Sequence, residues 1–546
     1  MNATSLNGSS SVAQYGSSGT LAMDTPRPSF RGAAALNKIY LSTLVPCILT
    51  MLLAGCGSNA SSVSATTNPL VAEYVVHPAL AGTVTVEFGE DTSYGRSTSP
   101  VHTTVGPTTV LVAGMKANTT YHMRAHLDYE NGTSTVDDDH VFTTGAVPTG
   151  IIPNFTVSTT SGTTPQPGVE MVNIIPSTEQ SFVYATDLDG NVIWFYDPPE
   201  SKVPNITLYP VIPLSNGHFM SFIAPASQSP LTVPVTPSTP DLLREFDLAG
   251  NTIRQLTMTD LNTRLAAANF HITMQVFTHD LAVLPNGHIL VITNSIRTFT
   301  NLTGFPGPLN VIGDAVVDLD ENFNPVWVWD EFDHFDVNRH PLGLPDWTHS
   351  NAIAYSPDDE NFLISIRHQH WIVKVDYRNG AGTGDVLWKL GYQGDFQLQG
   401  AVDPTDWFYA QHDVNFVSSN TTGSFKLAIM DNGDNRVFPS GLTCGSTGAP
   451  ACYSTVPVML VDENAKTASF LFHQILPSSL YSNFAGNTRV QPNTNVEYNL
   501  AGVGTNAYVF EVTPTNTPQT VWEMQITGSN TYRALRMPSL YPGVQW

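Results

Sequence analysis

The sequence predicts an all-β protein built mainly from antiparallel hairpins. Its 546 residues include Gly 40 and Pro 39, which indicates many turns. Apolar and polar residues alternate along many stretches, whereas the spacing of three and four residues that marks an amphipathic helix is rare. Asn-Gly turns between alternating runs, as in VLPNGHILVIT at 283–293, are typical of hairpins. With 41% hydrophobic and 12% charged residues, the chain can bury a sizeable core.

The N-terminal segment carries an export signal. RGAAALNKIYLSTLVPCILTMLLAGC at 31–56 combines basic residues, an apolar run and Leu-Ala-Gly-Cys, and it resembles a bacterial lipoprotein signal with its lipobox. Cleavage before Cys56 would leave a lipidated cysteine, and Gly57 after it favours the outer membrane. A transmembrane anchor is the alternative, but the run is short and interrupted by Pro46. The preceding residues fit no signal pattern, so translation could start at Met23. We therefore expect an exported, periplasmic, lipid-anchored protein.

A small β domain follows a polar tether. GSNASSVSATTNP at 57–69 has no capacity to form a core, which is typical of a linker. GTVTVEFGE at 82–90 and STVDDDHVFTT at 134–144 alternate as strands do. Between them, Gly114, Thr120, Tyr121 and Arg124 resemble the signature of fibronectin type III-like sandwiches. The segment carries no convincing chemistry, and we expect a role in spacing or in subunit contact, with a homodimer as one outcome.

The rest of the chain repeats two half-motifs. One reads strand, Asp, turn, aromatic strand, and the other reads strand, Asn-Gly-like turn, strand. The first occurs as ATDLDGNVIWFYD at 185, EFDLAGNTIRQL at 245 and VDLDENFNPVWVWD at 317, with looser copies at 374, 460 and 510. Two hairpins per unit in six units predict a six-bladed β-propeller. An array of plain β-sandwiches is the alternative, but it would not explain the regular alternation.

The expected organisation therefore has four parts. They are a signal peptide with lipobox at 1–56, a flexible tether at 57–70, a fibronectin III-like sandwich at 71–148 and a propeller at 158–546.

The charge and the cysteines limit the partners. Lys+Arg 22 against Asp+Glu 46 gives a formal net charge of -24, which should repel nucleic acid. The acidity otherwise favours solubility. In an exported protein, the close pair Cys444 and Cys452 is expected to form a disulfide. A redox-active pair is the alternative, although the spacing is not CxxC.

Three histidines occupy the same position in consecutive repeats. His279 precedes LAVLPNG, His349 precedes NAIAYSPDD and His412 precedes VNFVSSN. If the Asn-Gly hairpin is the inner half of each blade, all three project toward the channel axis at one end. The neighbours Asp280 and Asp413 should point the other way, because successive side chains alternate faces. We expect these carboxylates to bind turns or backbone groups rather than to act as triad partners.

Converging histidines have two chemical uses. They could bind a metal ion, since three-histidine zinc sites are common, or supply a nucleophile with acid–base partners. Arg367 lies one hairpin after His349, and a cation beside a metal site would weaken it, so the sequence favours an anion instead. Asn351 faces the same side as His349 and could donate to an oxygen. Aromatic residues near the mouth could stack on substrate rings, although we expect most of them to be packing residues and one or two at most to touch substrate. They are Trp347, Trp371, Trp407 and Tyr409.

An ordered set of motifs across this region resembles the bacterial arylsulfate sulfotransferases. The motifs are HDLAVLPNGHIL at 279, DWTHSNAIAY at 346, ISIRHQHWIVKVD at 364, VLWKLG at 386, QHDVNF at 411 and MDNGDNR at 430. The resemblance implies a six-bladed propeller after a small β domain. It also implies sulfuryl transfer from a phenolic sulfate ester to a phenol acceptor, in a ping-pong route through a sulfated histidine. No nucleotide sulfate, other cofactor or metal is implied.

The resemblance also assigns roles to single residues. His412 would be the nucleophile, and His279 and His349 would hold sulfuryl oxygens or serve the phenol oxygen. Asn351 and Arg367 would complete the anion cradle. A threonine of the last blade is used by the family, and the matching residue is Thr488. The paired cysteines of the family correspond to Cys444 and Cys452.

Two other functions stay open at this point. A propeller metalloenzyme, such as a lactonase-like hydrolase, would need a stoichiometric metal ion. A non-catalytic, surface-tethered binder would show no group transfer, and His412→Ala would leave its binding intact.

Overall fold

The computed structural model describes residues 60–175, 181–225, 239–420 and 422–546. The export signal, the lipobox and Cys56 lie outside these residues. Asn59–Trp546 forms one compact unit. Within the described ranges, no helix is both long enough and apolar enough to cross a membrane.

Two antiparallel sheets make up the N-terminal sandwich. One has the strand order β1-β2-β6, and the other has β4-β3-β7-β8 with β5 on β3 and β9 on β7. The strands are β1 (Ser62–Ala65), β2 (Ala72–Val76), β3 (Gly82–Gly89), β4 (Arg96–Ser97), β5 (Val101–Thr103), β6 (Thr108–Val112), β7 (Thr120–Tyr129), β8 (Ser134–Val136) and β9 (His140–Thr143). Inward residues of β2 and β3 alternate with more exposed ones, which is why a period of two was visible in the sequence.

The expected tether is wrong over its second half. Ser62–Ala65 forms β1 and pairs antiparallel with β2. The Ser and Thr content predicted a linker, but an edge strand needs little apolar surface of its own, because its backbone binds the neighbouring strand. The resemblance of this sandwich to fibronectin type III stays a prediction.

Six further sheets of four or five strands follow. Their first strands are β10 (Asn154–Thr159), β11 (Val169–Ile175), β12 (Phe182–Thr186), β13 (Val192–Tyr196), β14 (Ile206–Pro213), β15 (Phe219–Pro225), β16 (Leu242–Phe246) and β17 (Thr252–Thr257). The middle strands are β18 (Phe277–Val283), β19 (Ile289–Leu302), β20 (Phe305–Leu319), β21 (Pro325–Asp330), β22 (Ser350–Ser356), β23 (Asn361–Ile366), β24 (Trp371–Val375) and β25 (Val386–Gly391).

The last ten strands complete this set. They are β26 (Gln397–Gln399), β27 (His412–Phe416), β28 (Ser424–Met430), β29 (Thr455–Asp462), β30 (Thr467–Ile475), β31 (Asn487–Val490), β32 (Val496–Val503), β33 (Asn506–Val512), β34 (Thr520–Thr527) and β35 (Asn530–Met537). The described helices are α1 (Met258–Ala267) and five 3-10 turns at Pro199–Lys202, Glu331–Asp333, Arg367–Gln369, Arg378–Gly380 and Ser478–Leu480.

The sheets follow one another as the blades of a propeller do. Their orders are β35-β11-β12-β13, β14-β15-β16-β17, β18-β19-β20-β21, β22-β23-β24-β25, β27-β28-β29-β30-β26 and β31-β32-β33-β34-β10. The final strand β35 joins the first sheet, and the early strand β10 joins the last one. Both ends of this region therefore link the first and last sheets of the series. The all-β class is confirmed, and the number of blades stays a prediction with which these strand orders agree.

Apolar cores join each sheet to the next. Separate buried clusters join the second sheet to the third, the third to the fourth, the fourth to the fifth, the fifth to the sixth and the sixth to the first. A further cluster joins the first sheet, the second sheet and the sandwich. The six sheets therefore close into a ring. The innermost strands, which begin at one common end of the ring, are β14, β18, β22, β27, β31 and β35.

The aromatic half-motif has a packing role between sheets. Trp194 donates its indole N–H to the carbonyl of Leu248 in the next sheet, at 2.8 Å. Trp329 makes the same bond to Gly384 at 2.8 Å. Trp522 bonds to Leu188 at 3.0 Å, across the closure of the ring. The repeat in the sequence thus reflects a repeated contact between neighbouring sheets.

Candidate active site

Three histidines meet at the start of three neighbouring innermost strands. The ring centroids of His279 and His349 are 4.6 Å apart, and those of His279 and His412 are 6.5 Å apart. His279 lies in β18, His349 directly precedes β22, and His412 begins β27. The structure therefore brings together the three histidines that the repeat positions singled out.

The same backbone irregularity occurs beside each histidine. The pairing register shifts between Phe277 and Leu281 in β18, between Ser350 and Ala352 in β22, and between His412 and Val414 in β27. His279 and His349 have φ values of 56° and 53°, and Asp413 has 52°. A bulge re-aims the side chain that it carries. Three equivalent bulges aim the three imidazoles at one point.

Hydrogen bonds fix the tautomer of His412. The side-chain N–H groups of Asn432 donate to the carbonyls of Ser482 and Ala485 at 2.8 and 3.1 Å, which leaves its Oδ1 facing the ring. Oδ1 lies 2.7 Å from His412 Nδ1, so Nδ1 must carry the proton. Nε2 then keeps its lone pair, which accepts only a long hydrogen bond of 3.2 Å from the Ala485 N–H.

Burial keeps His412 and His279 uncharged. Burial is the largest cause that lowers the pKa of His412 well below its ordinary value, and Arg367 adds to it. Burial likewise lowers the pKa of His279 well below its ordinary value, followed by the repulsion of His349 and His412. Both imidazoles are neutral near pH 7 and can act as bases or nucleophiles.

His349 is held by a carboxylate and a second ring. Its Nδ1 lies 2.6 Å from Asp346 Oδ2, so its other nitrogen is the one left for substrate. The ring of His368 stacks on it, with centroids 4.6 Å apart and planes 18° apart. Burial raises the pKa of Asp346, but the interactions with His349, His368 and Arg367 more than offset this and lower it. A charged Asp346 stabilises a protonated His349, as the acid in an acid–base pair requires.

Arg367 is a buried cation with an unpartnered Nε–H among the described residues. It lies in the 3-10 turn after β23 rather than on the strand, and it pairs with Asp434 and donates to the carbonyl of Asn483 at 3.0 Å. Its Nε is buried without a partner among the described residues. The phenol of Tyr481 donates to the second carboxylate oxygen of Asp434. Arg367 therefore keeps an N–H available for an anion.

Asn351 and Thr488 also present buried atoms without partners. The Asn351 amide donates at 2.7 Å to the carbonyl of Gln411, the residue before His412, and its Oδ1 has no partner among the described residues. One N–H of Asn351 is thus already bound, and its expected role as a donor to an anion stays a prediction. Thr488 lies in β31, and its Oγ1 is buried and unpartnered.

Asp280 and Asp413 do not touch the histidine rings. Asp280 accepts two bonds from Arg533 at 2.9 and 3.0 Å and one from the Ile353 N–H at 3.1 Å. Asp413 is bound by Arg489 and by the Thr488 N–H, the latter at 3.4 Å. Backbone partners were expected. The arginine partners were missed, because both come from the last two innermost strands, far away in sequence.

The aromatic residues expected at the mouth are core residues. Trp347, Trp371, Trp407 and Tyr409 are at most 6% exposed and pack in apolar clusters. Trp347 lies under the long hairpin of β19 and β20, where the exposed end of that hairpin covers it. None of the four is free to stack on a substrate ring in this conformation.

Sequence reasoning missed four residues that hold the site. They are Asn432, Asp434, Asp346 and His368. A signal was present for each, since Asn432 and Asp434 belong to MDNGDNR, Asp346 to DWTH and His368 to IRHQH, all polar insertions at the ends of buried strands. The disulfide Cys444–Cys452 was predicted and is present, with Cα atoms 5.1 Å apart. It lies in the loop that begins with Asn432 and ends at β29.

Comparison with known protein families gives a match. The model of the arylsulfotransferase (ASST) family matches residues 154–533. No curated protein matches the chain.

Similar solved structures include a protein from Lactobacillus plantarum, with 10% identity and a TM-score of 0.34 over 84% of this chain and 100% of that chain. Hydrazine synthase from Kuenenia stuttgartiensis has 10% identity and a TM-score of 0.23 over 57% of this chain and 75% of that one. TM-scores this low support no conclusion about this chain. The family match, in contrast, covers more than half of the chain. The chain therefore belongs to the arylsulfotransferase family and is an enzyme of PAPS-independent aryl sulfate transfer.

Proposed function

We propose that this enzyme moves a sulfuryl group from a phenolic sulfate ester to a phenol by a ping-pong route through His412. The observation that carries the proposal is the tautomer of His412. Asn432 holds the proton on Nδ1, which leaves the Nε2 lone pair beside a buried cation and two further histidines. A neutral, oriented imidazole is a competent nucleophile near pH 7.

In the first step, Nε2 of His412 attacks the sulfur of the donor. The N–S bond forms as the bond from sulfur to the aryl oxygen breaks, and the hydrogen bond from Ala485 is given up. The departing phenolate takes a proton from His349, whose charged form Asp346 stabilises. Arg367 stabilises the negative charge on the peripheral sulfuryl oxygens by donating its free Nε–H. Transfer through a loose transition state needs mainly such positioning and electrostatic stabilisation.

In the second step, the acceptor phenol replaces the product. Its O–H proton passes to the now neutral His349, and its oxygen attacks the sulfur of the sulfated His412. The N–S bond breaks and the lone pair returns to Nε2, which restores the starting enzyme. Asn351 Oδ1 and Thr488 Oγ1 are buried acceptors without partners in the described part of the chain, and they suit the hydroxyl of the incoming phenol.

The decisive experiment uses 4-nitrophenyl sulfate with and without phenol. We expect release of nitrophenol that depends on phenol, and, without phenol, a protein mass increase of one sulfuryl group on His412. His412→Ala should abolish both. His288→Ala is the matched control, because His288 lies in the same sheet as His279 but binds Asp318 instead of the site. A mass increase that persists in His412→Ala would refute the assignment of the nucleophile.

One observation favours a metalloenzyme as the second candidate. Asp346, His349 and His368 offer ligand atoms that all lie within 4.8 Å of one another. Such a set suits a zinc or similar ion. Only one of the three converging histidines belongs to it, and Arg367 lies close enough to act on Asp346, which disfavours a cation there. Stoichiometric metal together with activity that a chelator removes would support this candidate over sulfuryl transfer.

We further propose that the enzyme is exported and anchored through a lipid on Cys56. The lipobox at 53–56 supports this proposal. Expression in a bacterium should give a membrane-associated form whose processing stops in Cys56→Ser. A soluble, cleaved periplasmic product from both proteins would contradict it.

A further inference from the structure

The final strand of the chain supplies an arginine that contacts all three histidine strands. Arg533 in β35 donates through Nη1 and Nη2 to the two carboxylate oxygens of Asp280, at 2.9 and 3.0 Å. Nη2 also donates to the carbonyl of Asn351 at 3.1 Å. Nε lies 3.6 Å from Asp413 Oδ1. The side chain is only 10% exposed. One buried guanidinium therefore spans β18, β22 and β27.

Each of these contacts lies next to a residue of the site. Asp280 follows His279, and Asp413 follows His412, so the two carboxylates anchor the backbone of two imidazoles. The neighbouring Tyr532 donates its O–H to the carbonyl of His279 at 2.8 Å. The bulges interrupt the regular ladder bonds at these positions, so side-chain contacts must fix the backbone there.

Charge balance explains why an arginine stands at this position. Asp280 and Asp413 are buried carboxylates that face the same region, and Arg533 and Arg489 are the two cations that neutralise them. A planar, bidentate donor suits two carboxylates on separate strands better than the point charge of a lysine. Removal of Arg533 would leave Asp280 with a single backbone donor.

We infer that Arg533 is a positioning residue that sets the separation and orientation of His279 and His412 for sulfuryl transfer. The inference rests on the proposed function, because the distance between these imidazoles matters only if both act on one sulfuryl group. On this inference, β35, the strand that closes the ring, helps to position the residues of the site. Strand β35 would then couple closure of the fold to assembly of the nucleophile.

The first test compares Arg533→Gln, Arg533→Lys and a control on the same strand. Arg536→Gln is that control, since Arg536 is equally buried and pairs with Glu170 and Glu511 away from the histidines. Single-turnover sulfation of His412 by 4-nitrophenyl sulfate is followed by mass. We expect Arg533→Gln to slow sulfation by about 100-fold, the usual cost of a displacement of about 1 Å at a reacting group. Arg533→Lys should recover part of this loss, and folded Arg536→Gln should sulfate at the wild-type rate.

The second test needs no sulfuryl transfer. The titratable and charged groups around His279 and His412 are Arg367, His349 and Arg533, with Tyr209 and Tyr532 against the His279 ring. Asp280, Asp413 and Arg489 lie behind Arg533 and do not touch the two rings. Arg533 is one cause of the lowered pKa of both histidines. In ¹⁵N-histidine NMR titrations, Arg533→Gln should therefore raise the pKa of both imidazoles, while Arg533→Lys keeps them near the wild-type positions.

The outcomes separate the two proposals. Wild-type protein without sulfation of His412 would refute the proposed function, and the titrations would still decide whether Arg533 acts on the imidazoles. The positioning role would be overturned if the wild type is active and Arg533→Gln is sulfated within about twofold of its rate. Equal slowing in folded Arg536→Gln would overturn it as well. If Arg533→Gln does not fold, Arg533→Lys takes its place in the comparison with the wild type and with Arg536→Gln.

Discussion

At the scale of single residues, Asn432 decides which nitrogen of His412 is free. Both amide N–H groups of Asn432 are bound by carbonyls, so its oxygen can only accept the Nδ1 proton of His412. Without this partner, the imidazole could place its proton on Nε2 and could rotate. The reactivity proposed for His412 thus depends on a residue that touches no substrate.

Asn432→Ala should lower the rate of His412 sulfation by about 10- to 100-fold, because part of the population would hold the proton on Nε2. Rapid-quench mass measurement of the sulfated protein gives this rate. Asn310→Ala is the control, since Asn310 is exposed on the hairpin and binds only Thr298. Equal sulfation rates in both variants would show that the tautomer needs no help from Asn432.

The pH dependence of sulfation follows from the lowered pKa of His412. The nucleophile is the neutral form, and burial lowers this pKa well below its ordinary value of 6.5. As pH falls through 6.5, His412 therefore stays neutral, and single-turnover sulfation should hold its rate until well below that pH. An acid limb with a midpoint at 6.5 in the rate of sulfation would contradict the burial of His412 in the working enzyme.

Asp346→Asn should affect poor leaving groups most. The change removes the negative charge beside His349, the proposed proton donor to the departing phenolate. We expect kcat/KM to fall by about 100-fold for phenyl sulfate and much less for 4-nitrophenyl sulfate, whose phenolate leaves without a proton. Steady-state assays with the two donors measure the ratio. An equal loss for both donors would mean that His349 acts on the sulfuryl oxygens and not as the acid.

At the scale of elements, the loop between β28 and β29 holds both sides of the site. Asn432 at its start orients His412, and Asp434 pairs with Arg367. Buried Arg436 fixes the loop by donating to the carbonyls of Thr405 and Trp407 at 2.8 and 2.9 Å. The disulfide lies in the outer part of the same loop.

Replacement of Cys444 and Cys452 by serine should lower the free energy of unfolding by about 2–3 kcal/mol, because the unfolded chain gains entropy when this small loop is no longer closed. Urea unfolding of the wild type and the double variant measures this difference. The oxidised wild type with added reductant should reach the same value. A double variant as stable as the wild type would show that Arg436 and its carbonyl partners hold the loop unaided.

At the scale of the whole molecule, the ring closes through a buried ionic cluster. Arg536 of β35 contacts Glu170 at 2.7 Å and Glu511 at 3.0 Å, with Glu497 at 3.7 Å. One cation thus faces three buried carboxyls between the first and sixth sheets. Burial, and then repulsion by Glu170, raises the pKa of Glu497 well above its ordinary value.

Glu497→Gln should make the protein more stable at high pH. The wild-type carboxyl is neutral in the folded protein but ionises in the unfolded chain above about pH 4.5. Its contribution to the free energy of unfolding is therefore lost as pH rises. The loss amounts to about 1.4 kcal/mol per pH unit until the folded group ionises. Thermal unfolding at pH 5 and pH 8 should show a smaller decline for Glu497→Gln than for wild type or exposed Glu130→Gln. An equal decline in stability in all three proteins would show that another group causes the pH dependence.

Much of the site was visible in the sequence because its residues repeat with the fold. His279, His349 and His412 stand at one position of successive repeats, and a repeat places equivalent residues at equivalent points of a ring. Arg533 and Arg489 had no such signal. They belong to the last innermost strands, and only the closure of the ring brings them to Asp280 and Asp413.

The sequence by itself determined the all-β class, the pair of half-motifs and the three histidines, because local alternation and turn residues follow from nearest-neighbour chemistry. The tertiary structure alone decided that Ser62–Ala65 is a strand, that the aromatic residues are core, and which nitrogen of His412 carries the proton. These outcomes depend on contacts between separate strands and loops, and no local pattern specifies such contacts.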